Sequence, residues 1–175
     1  MGHRGVRELL PENTIPAFKM AFDAGLHGVE FDVLRSKDGK LVLHHDFVLP
    51  EGQVVAELTY QELLEVDDRL PLLEDLFELT KAYPKILLNL EIKSETLKSD
   101  GLEVAVVKSV RASGLAEQVL VSSFNPISLL RVRLIAPELR TALLFYETQP
   151  RLLRHGSLAR WLHVDAIHPH IEQVD

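Results

Sequence analysis

Glu30 and Asp32 stand two residues apart in Gly28-Val29-Glu30-Phe31-Asp32-Val33-Leu34, a segment that alternates like a β-strand. At that spacing both carboxylates leave one face of the strand, while Phe31 and Val33 leave the other toward apolar packing. Adjacent carboxylates repel one another unless a proton or a cation lies between them. Glu91 repeats the situation in residues 86–92, a strand apolar enough to be buried on both faces, and Lys93 shares its face. Three carboxylates gathered at strand ends suit a hard divalent cation with oxygen ligands, Mg2+ or Ca2+. Taken alone, Glu30 and Asp32 are equally well read as solvated or salt-bridged. The buried character of the Glu91 strand favours the metal.

Proton transfer near neutral pH is the work of histidine. His3 is followed by Arg4-Gly5. His45 shares a strand face with Leu41 and Leu43 and is followed by Asp46, whereas His44 faces the other way. Beside a metal, two histidines supply an acid and a base. Arg4 and Lys93 supply fixed positive charge, and the arginine fork suits a phosphate. His168 lies at a strand end and reads as structural; His27, His155, His163 and His170 carry no assignment. In Pro11-Glu12-Asn13-Thr14, Asn13 and Thr14 are what a helix start wants, which leaves Glu12 free. Ser122-Ser123 lacks the Gly-x-Ser-x-Gly turn of a serine hydrolase, and the sequence has no glycine-rich phosphate loop of either common type.

The elements that must position these groups alternate along the chain. Thr14 caps a helix with Pro16 in its first turn and Ile15, Phe18, Ala21 and Phe22 on one face, and Gly25 ends it. Lys37-Asp38-Gly39-Lys40 is a turn between the Glu30 strand and a second strand over 41–45, close enough for a hairpin. Helices are expected over 72–83, 102–113, 126–135 and 152–161, and strands over 86–92, 119–122, 141–145 and 166–168. Such alternation implies βαβ units and a parallel sheet, with reactive groups at the carboxyl ends of the strands. With 175 residues, 46% of them hydrophobic, the chain can form one domain with a real core. Its composition excludes disordered, collagen-like and disulfide-stapled classes, since it has no cysteine. A net charge of −7 and few aromatics argue against a nucleic-acid partner. No secretory signal and no apolar run long enough for a bilayer are present, so a cytoplasmic protein without stable membrane insertion is expected. Length by itself argues against a (β/α)8 barrel, which usually needs about 200 residues or more.

The ordered set of motifs points the other way. His3-Arg4-Gly5, Pro11-Glu12-Asn13-Thr14 with Ala17-Phe18, Gly28-Val29-Glu30-Phe31-Asp32-Val33, Lys37-Asp38-Gly39, His45-Asp46, Leu90-Glu91-Ile92-Lys93 and Ser122-Ser123-Phe124 resemble the glycerophosphodiester phosphodiesterase family in order and spacing, over nearly the whole chain. The resemblance implies an α/β fold, the TIM (β/α)8 barrel. It implies hydrolysis of small-molecule glycerophosphodiesters to glycerol 3-phosphate and an alcohol, with a divalent cation. By the same resemblance Glu30, Asp32 and Glu91 are the metal carboxylates, and His3 and His45 the acid and base. Arg4 and Lys93 lie near the phosphate, and Glu12 lies close to the site. Residues 1–175 then form a single barrel domain, with a short hairpin excursion around 35–70 that carries His45 back over the site.

Some family features are replaced. After His45-Asp46 the chain reads Phe47-Val48-Leu49-Pro50-Glu51-Gly52 in place of an Arg-Thr-Thr stretch. No Trp-Thr-Val-Asn segment is found; Trp161, the only tryptophan, sits in a helical pattern. The first barrel strand should precede His3, where only Met1 and Gly2 stand. Strands beginning near His3, Gly28, Ile86, Val119, Thr141 and Ala166 number about six of eight, so the barrel is expected to be incomplete, with the first strand and the C-terminal two missing. Residues outside this sequence, or another chain in an oligomer, would complete it, because an open sheet leaves edges and core exposed. Two alternatives stand beside the main expectation. One is the same barrel acting on another phosphodiester, such as a lysophospholipid, for which the altered segment after Asp46 leaves room. The other is a non-catalytic barrel fragment that binds a partner.

Overall fold

A strand that carries Val29, Phe31 and Val33 on one face needs helices to cover that face, and the order of elements supplies them. The computed structural model describes residues 1–94, 96, 98–146 and 162–169. Its strands are β1 (Gly2–His3), β2 (Gly28–Arg35), β3 (Leu41–Leu43), β4 (Leu87–Ile92), β5 (Val119–Ser123), β6 (Arg140–Phe145) and β7 (Ala166–Pro169). Its helices are α1 (Ile15–Asp23), α2 (Tyr60–Val66), α3 (Leu73–Thr80), α4 (Leu102–Ser113) and α5 (Pro126–Ile135). The sheet runs β1-β2-β4-β5-β6-β7 with every neighbour pair parallel, and β3 adds to β2 antiparallel.

Six parallel strands are the number expected. The first is not absent: it is the two-residue β1, paired with β2 through Gly2↔Val29 and His3↔Glu30. The expected helix over 152–161, with Trp161, lies outside the described residues.

The two faces of the sheet divide by chemistry. Val29, Phe31 and Val33 of β2 and Leu88, Leu90 and Ile92 of β4 pack with Phe18 and Phe22 of α1, Leu76 and Phe77 of α3 and Val106 and Val110 of α4 in one buried core. Phe18 meets Phe31 edge-on at 5.9 Å. The alternate residues of the same strands, Glu30, Asp32, Asn89 and Glu91, face the other side, as a two-residue period requires. Thus the apolar pattern that builds the core also collects the polar groups.

The connection from β2 to β4 departs most from expectation. Its hairpin turn forms as read, with Ser36 N–H donating to the Lys40 carbonyl and Gly39 at φ +84°. The second strand stops at Leu43, so His44 and His45 lie beyond it and the strand-face argument does not reach them. The Phe47–Gly52 segment folds into its own turn, closed by Leu49 N–H to the Gln53 carbonyl. Leu34, Val42, Leu49, Val55, Leu63 and Leu70 then form a second, smaller core. The short helix α2 in this region is fixed at its start by Thr59 and Glu62, each bonding the other's backbone N–H.

Candidate active site

Register brings the chemistry together. Asp32 of β2 is opposite Glu91 of β4, and Glu30 is opposite His3 of β1 on one side and Asn89 on the other. Glu30, Asp32 and Glu91 each offer a carboxylate oxygen within 4.8 Å of the others, a spacing at which the three could hold a metal ion. Asp32 is fully buried and Glu91 nearly so.

Two cations reach into this group from opposite sides. Lys93, one residue beyond β4, places Nζ 3.2 Å from Glu91 Oε1 and 3.5 Å from Asp32 Oδ1. Arg4, one residue beyond β1, places Nε 3.2 Å from Asp32 Oδ2 and donates from its backbone N–H to Glu30 Oε2 at 3.2 Å. Its Nη1 meets both oxygens of Glu12 at 3.0 Å, so Glu12 braces the guanidinium from the solvent side. The loop that carries Arg4 turns sharply, with Arg4 at φ +52° and Gly5 at φ +85°. A side chain at Gly5 would come within 2.8 Å of the Ala17 methyl carbon on α1, so only glycine lets this loop lie flat on the helix.

The charges do not balance. Among the described residues, four carboxylates (Glu12, Glu30, Asp32 and Glu91) face two fixed cations, leaving two negative charges uncompensated when all are ionised. Burial first, then Asp32 and Glu91, push Glu30 up to about 8. Burial and Asp32 push Glu91 up to about 7, with Lys93 pulling in the other direction. Burial opposes the charge on Lys93 and Arg4, but the neighbouring carboxylates outweigh it and raise both above their ordinary values. Asp32 Oδ1 is buried without a hydrogen-bond partner. An all-oxygen donor set, a surplus of two negative charges and an orphaned carboxylate oxygen fit a hard divalent cation.

The histidines differ in setting. His3 Nε2 lies 3.5 Å from Glu30 Oε2, and burial together with Arg4 and Arg7 lowers its pKa, so it is neutral near pH 7. His45 Nδ1 lies 2.7 Å from Asp46 Oδ1, one-third exposed and outside the ion-pair cluster. Because β3 is antiparallel to β2, with Leu43 opposite Val33, the chain leaving Leu43 runs back along β2 toward Asp32.

Ser122 and Ser123 are spent on structure, their hydroxyls donating to the Leu90 and Ile92 carbonyls of β4. Next to Glu91 and Lys93 a cavity of about 160 Å3 opens between Ser94, Phe47, Phe124 and Tyr146. Phe124 and Tyr146 stack face to face at 4.1 Å. His168 on β7 is half-buried, and burial lowers its pKa, as a structural histidine's would be.

One residue beside the carboxylates escaped the local reading of sequence. Asn13 is buried at 2% exposure, and its amide is bound to Asp32, nineteen residues away, rather than to the helix it precedes. Thr14 occupies the cap position of α1 but makes no side-chain cap bond; its hydroxyl donates to the Pro11 carbonyl. Because Asn13-Thr14 reads as a helix start, no local pattern in the sequence marks Asn13 as a partner of Asp32.

Known proteins resemble this chain in sequence and fold. The model of the glycerophosphoryl diester phosphodiesterase family matches residues 3–175. A glycerophosphodiester phosphodiesterase of Caldanaerobacter subterraneus subsp. tengcongensis is 35% identical over 97% of this chain and 74% of its own length. One of Bacillus altitudinis is 32% identical over 81% of this chain, which spans only 64% of that relative. The crystal structure of a glycerophosphodiester phosphodiesterase from Thermotoga maritima superposes with a TM-score of 0.77 at 27% identity, covering 97% of this chain and 72% of that one. With six parallel strands, the carboxylate trio and a family match over nearly its whole length, the chain belongs to the glycerophosphoryl diester phosphodiesterase family.

Proposed function

We propose that residues 1–175 act as one catalytic domain that hydrolyses glycerophosphodiesters to glycerol 3-phosphate and an alcohol. The observation that carries this reading is the largely buried trio Glu30, Asp32 and Glu91, short of positive charge and with Asp32 Oδ1 left without a hydrogen bond. In this reading the trio holds a divalent cation, Mg2+ or Ca2+. When bound, that cation polarises the phosphoryl oxygens and offsets charge as it develops. Arg4 and Lys93, already held at the carboxylates, bind the remaining phosphate oxygens, and Glu12 keeps the Arg4 fork aimed.

The proton steps fall to the histidines. His3, neutral through burial, takes the proton from the attacking hydroxyl as the new P–O bond forms. His45, whose Nδ1 is engaged by Asp46, gives a proton from Nε2 to the leaving alkoxide as the old P–O bond breaks. The hydroxyl is that of water, or the 2-hydroxyl of the substrate's own glycerol; in the second case a cyclic phosphate forms first, and water then opens it to glycerol 3-phosphate with the two histidines exchanging roles. No helix among the described residues is long and apolar enough to cross a membrane, and the proposed compartment is the cytoplasm.

The aromatic wall of the cavity beside Glu91 supports a second reading, a diester whose alcohol carries a long chain, such as a lysophospholipid. Release of glycerol 3-phosphate from glycerophosphocholine and glycerophosphoethanolamine, compared with turnover of a lysophospholipid, decides between them. Faster turnover of the water-soluble diesters is expected. Preference for the long chain selects the second reading, and no turnover of either overturns both.

A further inference from the structure

We infer that Asn13 is a positioning residue that fixes the orientation of the Asp32 carboxylate within the trio and leaves one of its oxygens without a hydrogen bond. Its amide is used at both ends on one residue: Nδ2 donates to Asp32 Oδ2 at 3.0 Å, and Oδ1 accepts from the Asp32 backbone N–H at 3.4 Å. This brace locks the carboxylate against its own main chain. Oδ2 is thereby committed to Asn13 and to Arg4 Nε at 3.2 Å, while Oδ1 is left with no hydrogen bond and Lys93 Nζ 3.5 Å away. Without the brace the plane of the carboxylate could turn, and neither oxygen would be held in this position.

The backbone of Asn13 is shaped for this task. It sits at φ +55°, a conformation that asparagine tolerates better than most residues, and its N–H donates to the Arg4 carbonyl. One residue thus couples the loop bearing His3, Arg4 and Glu12 to the strand bearing Glu30 and Asp32. Groups that hydrogen-bond a ligating carboxylate set metal affinity by about 10- to 100-fold, although they touch no metal. The inference rests on the proposed cation site and adds a residue to it that the helix-start motif concealed.

The test separates side chain from backbone. Asn13→Gly keeps the left-handed conformation and removes the amide. Thr14→Ala removes the Thr14 hydroxyl bond to Pro11 in the same loop and leaves the amide in place. Calorimetric titration of each protein with Mg2+ and with Ca2+ reads the affinity, and melting without cation reads the fold. Asn13→Gly should weaken cation binding about tenfold or more, with Thr14→Ala binding as wild type whatever its melting temperature. Equal affinity in Asn13→Gly and wild type overturns the inference, as does an equal loss in Thr14→Ala, which would make the loop and not the amide responsible. If the glycine variant does not fold, Asn13→Asp decides, since it keeps the acceptor and loses the donor; wild-type affinity there overturns the inference. A wild-type chain that binds neither cation overturns the cation site itself, and the inference with it.

Discussion

Among the described residues, two clusters are built around buried carboxylates, and they are built in opposite ways. On α4, Glu103 is 2% exposed and saturated. Ser99 and Ser128 donate hydroxyl bonds to it at 2.6 and 2.9 Å, and Arg131 Nη1 lies 2.9 Å from Oε1. Burial alone would raise this group, but the bonds from Ser99, Arg131 and Ser128 hold it below its ordinary value. On β2 and β4, Glu30, Asp32 and Glu91 crowd one another, two of them are pushed up to about 8 and about 7, and Asp32 Oδ1 has no hydrogen bond. The difference teaches that burial of an acid does not mark function. A satisfied acid ties elements together, here α4 to α5; an under-compensated group of acids is a demand for charge from outside the chain.

Variants can break this contrast. The largest effect expected is on turnover: Asp32→Asn should lower phosphodiesterase kcat about 1,000-fold, the scale on which removing one electrostatic contact to a transition state acts. Its cation-free melting temperature should hold or rise, because crowding is relieved. Glu103→Ala should do the reverse. Removing the acceptor of the Ser99, Ser128 and Arg131 bonds costs about 3 kcal/mol, on the order of 10 °C in melting temperature for a chain of this size, with kcat retained. If Glu103→Ala abolished turnover in folded protein, the division between the clusters would fail.

The two clusters should also respond to pH with opposite sign. Glu30 and Glu91 bind protons more tightly in the folded, cation-free protein than in the unfolded chain, where a glutamate titrates near ~4.3. Their contribution is therefore full below about pH 4 and lost as pH rises through 7 and 8, so the cation-free melting temperature should fall across that range. Glu103 is depressed when folded, so its contribution is present above the unfolded pKa and lost as pH falls below it. Melting curves from pH 4 to 9 on wild type and Glu30→Gln check this; an unchanged slope in the variant contradicts it. The smallest effect is Ser128→Ala, which removes one of the bonds to Glu103 and should cost about 1 kcal/mol with turnover unchanged.

The clusters were not equally legible in the sequence. Glu30, Asp32, Glu91 and Lys93 could be grouped because a strand's two-residue period is a strict rule, and β2, β4, β5 and β6 formed close to where apolar runs placed them. Glu103 could not, since its partners come from a loop and another helix and no local pattern joins them. Asn13 was hidden for the same reason, with the added disguise of a plausible helix cap. The region between β3 and α3 was missed because α2 is seven residues long and buries only Leu63, too little for a helical period to show. Its Thr59–Glu62 capping pair was the readable signal. The strand-face argument for His45 fails, because β3 ends two residues before it, and only the family spacing still singles that histidine out.

The central claim is that the under-compensated carboxylate trio is the working site and needs a divalent cation. It is tested most directly by glycerol 3-phosphate release from glycerophosphocholine, by wild type and Asp32→Asn, first with chelator and then with Mg2+ or Ca2+ restored. Wild type should be inactive with chelator and recover on addition of a cation, while Asp32→Asn with cation restored stays about 1,000-fold below the recovered wild type. Equal turnover with and without chelator, or wild-type turnover by Asp32→Asn, would contradict it.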